Sequence, residues 1–227
     1  MVKKIKKKTK IKFIPVLVFL LLIIIVSFLV SFSLKVKIKN IYVTGNNIIT
    51  DEEIINLSGI GDYPSFIKTS TFDIKKKILS NSYIKDVAVS KKFPATININ
   101  VLEYVPLFIK QSDKKVVVDI DREFISSQEV LGIPILLNYV PDTIYADFIN
   151  EMKDTDDKIR RMISQIEYVP NEYDKQRFLL YMDDGNLVYV TITRFELINT
   201  YNEIYPKLNG KKGILYLDSG NHFEIKG

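Results

Sequence analysis

The sequence predicts an α+β protein: an N-terminal transmembrane helix, a small unit of order β-α-α-β-β, and a mixed β domain with flanking helices. Three observations predict it. An uncharged run of 22 residues, Phe13 to Leu34, follows a tail that carries seven lysines in its first 12 positions. Beyond the run, apolar segments of period two alternate with two capped helical segments as far as Glu103. From Pro106 onward, short β-rich segments predominate, two of them joined by the turn Asp183-Asp-Gly-Asn186.

The tail comes first. Its lysines account for the whole basic excess of a chain with 32 Lys plus Arg, 27 Asp plus Glu and a formal charge of +5. Positions 35–227 hold 25 basic and 27 acidic residues, a net of −2, with no basic stripe interleaved with aromatics. That distribution argues against nucleic acid as a partner. With no Cys, the chain has no disulfide, thiolate metal site or Cys nucleophile, and its one histidine, His222, excludes a site built on two imidazoles.

The uncharged run then spans about 33 Å as a helix, against a hydrocarbon core of about 30 Å. Pro15 falls in its first turn, where the missing N–H costs little. A secretory signal peptide has an apolar region of about 7–15 residues, shorter than this one, and Ser31-Phe32-Ser33 is a poor cleavage match. The lysine tail places the N-terminus in the cytoplasm, an asymmetry that Lys35, Lys37 and Lys39 weaken without reversing. Ser27 and Ser31, four apart, are either a helix–helix contact face or hydroxyls tolerated in lipid. The expected organisation is a cytoplasmic basic tail at 1–12, a transmembrane helix at 13–34, and domains at 36–104 and 105–227 outside the cytoplasm.

In the first outer domain, alternation from Val36 to Thr44 predicts a strand, closed by the turn Gly45-Asn46-Asn47. Thr50-Asp51-Glu52-Glu53 is a capping box opening a helix that Gly59 and Gly61 end near Ser58. Ser70 caps a second helix carrying Ile74, Ile78 and Leu79. Strands follow at Ile84 to Lys91 and Ile97 to Glu103, with Phe93-Pro94 turning between them. In the second domain, Leu107-Phe-Ile109 and Val116 to Ile120 predict a strand pair, Ile133 to Leu137 a short apolar segment, and Met152, Ile159, Met162, Ile163 and Ile166 an amphipathic helix over 151–168. Phe178 to Met182 and Leu187 to Ile192 form the hairpin, Phe195 to Leu208 is helical, and Ile214 to Leu217 is the final strand.

The order and residues of the first domain resemble a POTRA domain of the FtsQ/DivIB cell-division family. The matching stretches are Ile41-Tyr-Val-Thr-Gly-Asn46, Tyr83 to Pro94, and Ile97 to Glu103 followed by Pro106. Tyr201 to Leu208 and Gly213-Ile-Leu-Tyr-Leu-Asp-Ser-Gly220 resemble the closing helix and strand of that family's β domain. The family pattern places a basic residue after Glu103, where this chain has Tyr104.

No reacting constellation accompanies this organisation. Asp154, Asp156 and Asp157 lack the spacing of a calcium loop and read as a solvated helix start. Asp183 and Asp184 read as turn residues, and Gly59-Ile-Gly61 lacks the lysine of a phosphate loop. Asp119, Asp121 and Glu123, at period two, would share a strand face without a catalytic partner, and His222 reads as an exposed surface residue. The expectation is therefore no catalytic residue, no cofactor and no metal site. From the residues alone, a strand apolar on both faces such as Ile214 to Leu217 is either central in its sheet or an edge covered by another chain.

The resemblance implies the second alternative. In the family a partner division protein adds a strand to this sheet, which puts the protein-binding surface on Leu215, Tyr216, Leu217, Asp218, Ser219 and Gly220, with Phe223 as an aromatic anchor. It further implies a non-catalytic bitopic scaffold at the division septum. Its partners would be FtsL-type and FtsB/DivIC-type bitopic proteins and the septal peptidoglycan synthases of the FtsW and transpeptidase types. Two rivals are a POTRA-type chaperone or secretion component, which needs repeated POTRA units or a barrel, and a membrane-anchored envelope enzyme, which needs a nucleophile or metal constellation.

Overall fold

The computed structural model describes residues 13–126 and 131–226, so the basic tail at 1–12 lies outside the described residues. The chain divides into two units between Glu103 and Tyr104. In the first, α1 (Phe13–Ser33) has no buried residue. It is the one described helix long and apolar enough to cross a membrane.

After α1 come β1 (Asn40–Thr44), α2 (Asp51–Ser58), α3 (Thr71–Ile78), β2 (Ile84–Lys92) and β3 (Thr96–Glu103). The sheet order is β1-β3-β2, with β1 parallel to β3 and β2 antiparallel to it. The caps form as their sequences predict. Thr50 Oγ1 and Ser70 Oγ each accept a hydrogen bond from the amide three residues on, at 3.2 Å. Gly59 closes α2 at φ 70°, a left-handed conformation that costs glycine little. Period two in β3 buries Ile97, Ile99 and Val101, and helical spacing buries Ile54, Ile74 and Ile78.

Two details go beyond the pattern. The expected strand from Val36 begins only at Asn40, because Ile38 donates its amide to Pro64 of a loop, at 2.9 Å, instead of to the sheet. Glu103, at the end of β3, accepts hydrogen bonds from the amides of Asn47, Ile48 and Ile49 at 2.9, 2.7 and 2.9 Å. One carboxylate thus satisfies three consecutive donors of the β1–α2 turn.

The second unit runs β4 (Phe108–Lys110), β5 (Lys115–Asp119), β6 (Arg122–Ile125), β7 (Ile135–Leu136), α4 (Asp142–Asp154), α5 (Asp157–Arg160), β8 (Ile163–Tyr168), β9 (Arg177–Met182), β10 (Leu187–Thr191), α6 (Tyr201–Ile204), β11 (Gly213–Tyr216) and β12 (His222–Ile225). These strands form one nine-stranded sheet of order β12-β11-β10-β9-β8-β7-β4-β5-β6. Its largely aliphatic core holds an aromatic cluster: Phe148 of α4 stacks on Phe178 of β9 at 4.5 Å and meets Phe108 of β4 at 5.2 Å.

Here the structure corrects three expectations. The helix predicted over 151–168 lies at 142–154 instead, and 163–168 is a strand. Ile163 and Ile166 are buried across a register shift in the β8–β9 pairing, a bulge that spaces them by three and mimics helical spacing. The stretch from Phe195 to Leu208 is a chain of 3₁₀ turns around the four-residue α6, preceded by a kink at Arg194 and with Pro206 in its last turn. Asp119, Asp121 and Glu123 do not share a strand face, because the chain turns between Asp119 in β5 and Arg122 in β6. Asp119 pairs with Lys153, while Glu123 takes both Lys110 and Lys115.

Candidate functional site

The expected binding segment lies at one end of the nine-stranded sheet, and the structure revises its place there. Ile214 to Leu217 is not the final strand. β11 pairs in parallel with β10 and antiparallel with β12, so its main chain is engaged on both sides. Among the described residues, no strand pairs with the outer side of β12. The signal for β12 is present as the alternation His222-Phe223-Glu224-Ile225, but four residues bounded by lysine and glycine are short for a strand prediction.

Leu215 and Leu217 are buried with Val188 and Val190 in the core, and Phe223 packs against the same cluster. The side chains of Leu215 and Leu217 therefore point into the core and support the strand from within. Beyond Tyr216 the chain turns back through Gly220 at φ 88° and Asn221 at φ 53°. Two arginines from elsewhere in the sequence fasten this turn. Arg177 of β9 pairs with the Asp218 carboxylate at 2.7 Å, both side chains largely buried, and lies over the Tyr189 ring at 3.6 Å. Arg194 donates to the Asp218 carbonyl at 3.4 Å and to the Asn221 side chain at 2.8 Å. Ser219 Oγ donates to Asp218 at 3.1 Å.

On the opposite face from the core, an aromatic row crosses the last three strands. Tyr189 stacks on Tyr216 at 5.4 Å, and Tyr216 stacks on His222 at 4.6 Å. The Tyr216 hydroxyl donates to Glu224 at 3.1 Å, and burial together with that bond raises its pKa above the usual phenol value. His222 is exposed, as expected.

Gly213 fixes how closely β12 approaches. A Cβ at this position would stand 2.0 Å from the Glu224 carbonyl oxygen and 2.8 Å from the Phe223 ring. Its amide donates to buried Asn186 at 2.9 Å, and Asn186 in turn bonds Asp184 and Tyr201. The turn residues Asp184 and Asn186 thus also position β11. Lys226 donates its amide to Lys212 at 2.9 Å, which sets the alternation of the β11–β12 ladder. In an antiparallel pair of that register, Ile214–Glu224 and Tyr216–His222 exchange the inward bonds. The amides and carbonyls of Phe223 and Ile225 then point away from the sheet, toward a free edge.

Elsewhere in the unit, a cavity of about 580 Å³ is lined by Gln111, Leu136, Tyr139, Val140 and Tyr145 among others. The Tyr145 hydroxyl is buried without a hydrogen-bond partner, and burial pushes its pKa up to about 12, so it stays a neutral donor. No cluster of His, Asp and Glu suited to a metal ion occurs among the described residues.

Comparison with known proteins gives three findings. Residues 36–104 match the family model described as POTRA domain, FtsQ-type. Along most of its length the chain is similar to cell division proteins DivIB. It is 31% identical to that of Bacillus subtilis over 93% of this chain and 81% of the relative, and 30% identical to that of Brevibacillus brevis over 92% and 81%. The DivIB of Listeria monocytogenes is 28% identical over 98% of this chain and 85% of its own. A solved extracytoplasmic domain of DivIB from Geobacillus stearothermophilus aligns with 47% of this chain and 95% of its own, at 18% identity and a TM-score of 0.39.

Proposed function

The chain belongs to the DivIB family of cell division proteins, and on that premise we propose that it is a membrane-anchored division scaffold that works by presenting a sheet edge. The partner is a bitopic division protein of the FtsB/DivIC type, with the FtsL type alongside it, and the complex helps bring in the septal FtsW-type and transpeptidase-type synthases. No reacting group is required, because the affinity comes from main-chain pairing and apolar packing. α1 confines the protein to the membrane with the lysine tail in the cytoplasm, and confinement raises the effective concentration of partners at the septum.

One observation supports this reading above the others: β12 ends the sheet with the main-chain groups of two residues turned outward. In the proposed complex the partner strand pairs with β12. The stretch Leu215 to Gly220 holds that edge in position, and Phe223 anchors it to the core.

A backbone test isolates the edge. Ile225→Pro removes an outward amide that β11 does not use, whereas Glu224→Pro removes an inward one. Ile225→Pro is expected to abolish co-purification with an FtsB/DivIC-type partner while cooperative melting persists. Undiminished co-purification overturns strand addition at this edge. Leu217→Asp is the poorer probe, because Leu217 is 2% exposed and a carboxylate there damages the core itself. In cells, a fluorescent fusion gathers at mid-cell before constriction; uniform membrane fluorescence in dividing cells refutes the scaffold role.

A further inference from the structure

The chain does not pass through a loose linker between α1 and the first β unit. Leu34, Lys35 and Val36 donate their amides back to Val30, Phe32 and Ser33 at 3.0, 3.0 and 3.2 Å, continuing the helix end. The very next carbonyl, that of Val36, accepts from Phe66 at 2.8 Å, and Ser65 Oγ donates to the Leu34 carbonyl at 2.6 Å. A second clasp follows. Lys91 Nζ donates to the Phe66 carbonyl at 2.7 Å, and the Lys39 amide donates to Ala95 at 2.8 Å. Three segments, 34–40, 62–72 and 91–95, therefore form the end of the unit nearest α1.

Their level follows from helix length. The 21 residues of α1 rise about 31 Å, matching a hydrocarbon core of about 30 Å. If α1 spans the bilayer, residue 34 is at the interface, and the hydrogen-bonded loop at 64–66 is there with it.

The side chains at this end fit that environment. Ile67, Phe72 and Phe93 are 49%, 73% and 86% exposed, with Tyr63 exposed beside them. Around them Lys35, Lys37, Lys39, Lys68 and Lys92 are exposed and make no ion pair among the described residues. Two acids, Asp62 and Asp73, stand among them. At the far end of the same sheet acids predominate, with Asp51, Glu52, Glu53 and Glu103 against Lys85 and the Lys75–Asp86 pair. Water is a poor solvent for three large apolar side chains exposed on the loop at Ile67, the first turn of α3 at Phe72 and the β2–β3 turn at Phe93, and an aromatic–lysine mixture is the composition of interfacial membrane anchors.

We propose that this end of the unit is a second membrane contact. Ile67, Phe72 and Phe93 seat in the interfacial layer at the C-terminal end of α1, while the lysines bind the phosphates of anionic phospholipids. The contact fixes the tilt of the β1-β3-β2 sheet against the bilayer, which a single span alone leaves free. This inference rests on α1 being a span and goes beyond the sheet-edge role. It also gives Lys35, Lys37 and Lys39 a use that topology does not.

The absence of tryptophan from the sequence makes the test direct. Full-length single-Trp variants Ile67→Trp, Phe93→Trp, Leu102→Trp and Phe19→Trp are reconstituted in phosphatidylcholine vesicles, with and without phosphatidylglycerol, and quenched by brominated lipids. Phe19→Trp reports the span, and Leu102→Trp the far end of β3. The expected result is strong quenching at position 19, shallow-label quenching with a blue shift at 67 and 93 that grows with phosphatidylglycerol, and none at 102. Quenching at 19 with positions 67 and 93 behaving like 102 overturns the contact and leaves the span intact. No quenching at 19 overturns the span and the contact together. Replacing Lys35, Lys37, Lys39 and Lys68 by Gln abolishes the phosphatidylglycerol-dependent part; its persistence refutes the role given to the lysines.

Discussion

Replacing Gly213 by alanine measures how firmly β12 is held. The new methyl would sit 2.0 Å from the Glu224 carbonyl oxygen, so the strands have to part by more than an ångström to reach ordinary contact. Parting by that much breaks the Lys226-to-Lys212 bond and the Ile214–Glu224 pair beside it. Two or three hydrogen bonds at about 1 kcal/mol net each, plus partial exposure of Phe223 at about 1 kcal/mol, come to ~3–4 kcal/mol. The loss has a ceiling, because β12 can undock and leave the rest of the sheet intact. A penalty of about 3 kcal/mol raises the undocked population on the order of 100-fold, since 1.4 kcal/mol is a factor of ten. Amide hydrogen exchange on the full chain in micelles reads this out. Protection over 213–226 falls by about two orders of magnitude, while 96–103 in the other unit is unchanged. Unchanged protection over 213–226 refutes the idea that a glycine is required for the approach of β12.

Other perturbations test neighbouring parts. Glu103→Ala leaves three turn amides without their carboxylate and should lower the stability of the first unit by about 2–4 kcal/mol, read as its melting transition in calorimetry. Arg177→Met leaves the Asp218 carboxylate, 8% exposed, without its main counter-charge and should cost about 3 kcal/mol in urea unfolding; adding Asp218→Asn should recover much of it. Hydrogen bonds from Lys110 and Lys115 hold the Glu123 carboxyl below the ordinary range, so its contribution is full above the unfolded pKa of about 4.3 and is lost as pH falls through the folded value. Glu123 is partly exposed, so the effect is about 0.5 kcal/mol, and Glu123→Gln should flatten the acid limb of the second unit's stability curve by that amount.

Features written in neighbouring residues are legible without the fold. The apolar run, the Thr50 and Ser70 caps, the Gly59 stop and the Asp183–Asn186 hairpin depend on residues a few positions apart, and each forms where its pattern places it. Pattern and structure part where long-range pairing overrides local period. The β8 bulge gives Ile163 and Ile166 a helical spacing, and β6 lies hidden in a charged stretch whose acids pair with Lys110, Lys115 and Lys153.

The candidate edge divides the same way. Its location near the C-terminus comes from the stretch Leu215 to Gly220, but which strand is outermost does not. That depends on Arg177 and Arg194 fastening a turn that begins 41 and 24 residues further on at Asp218. It depends equally on Gly213 admitting the Glu224 carbonyl.

By itself, then, the sequence determined the long apolar helix and the division into a β-α-α-β-β unit and a β-rich unit, because hydropathy, charge and capping act over one helix or one turn; the family followed from the resemblance carried by stretches such as Ile41 to Asn46 and Gly213 to Gly220. Only the tertiary structure decided that β11 is interior and β12 outermost, and that the segments beside α1 and the start of α3 bring Ile67, Phe72 and Phe93 to the same end of a sheet. Strand order and loop juxtaposition are set by hydrogen bonds between residues distant in the chain, and no local pattern encodes those partners.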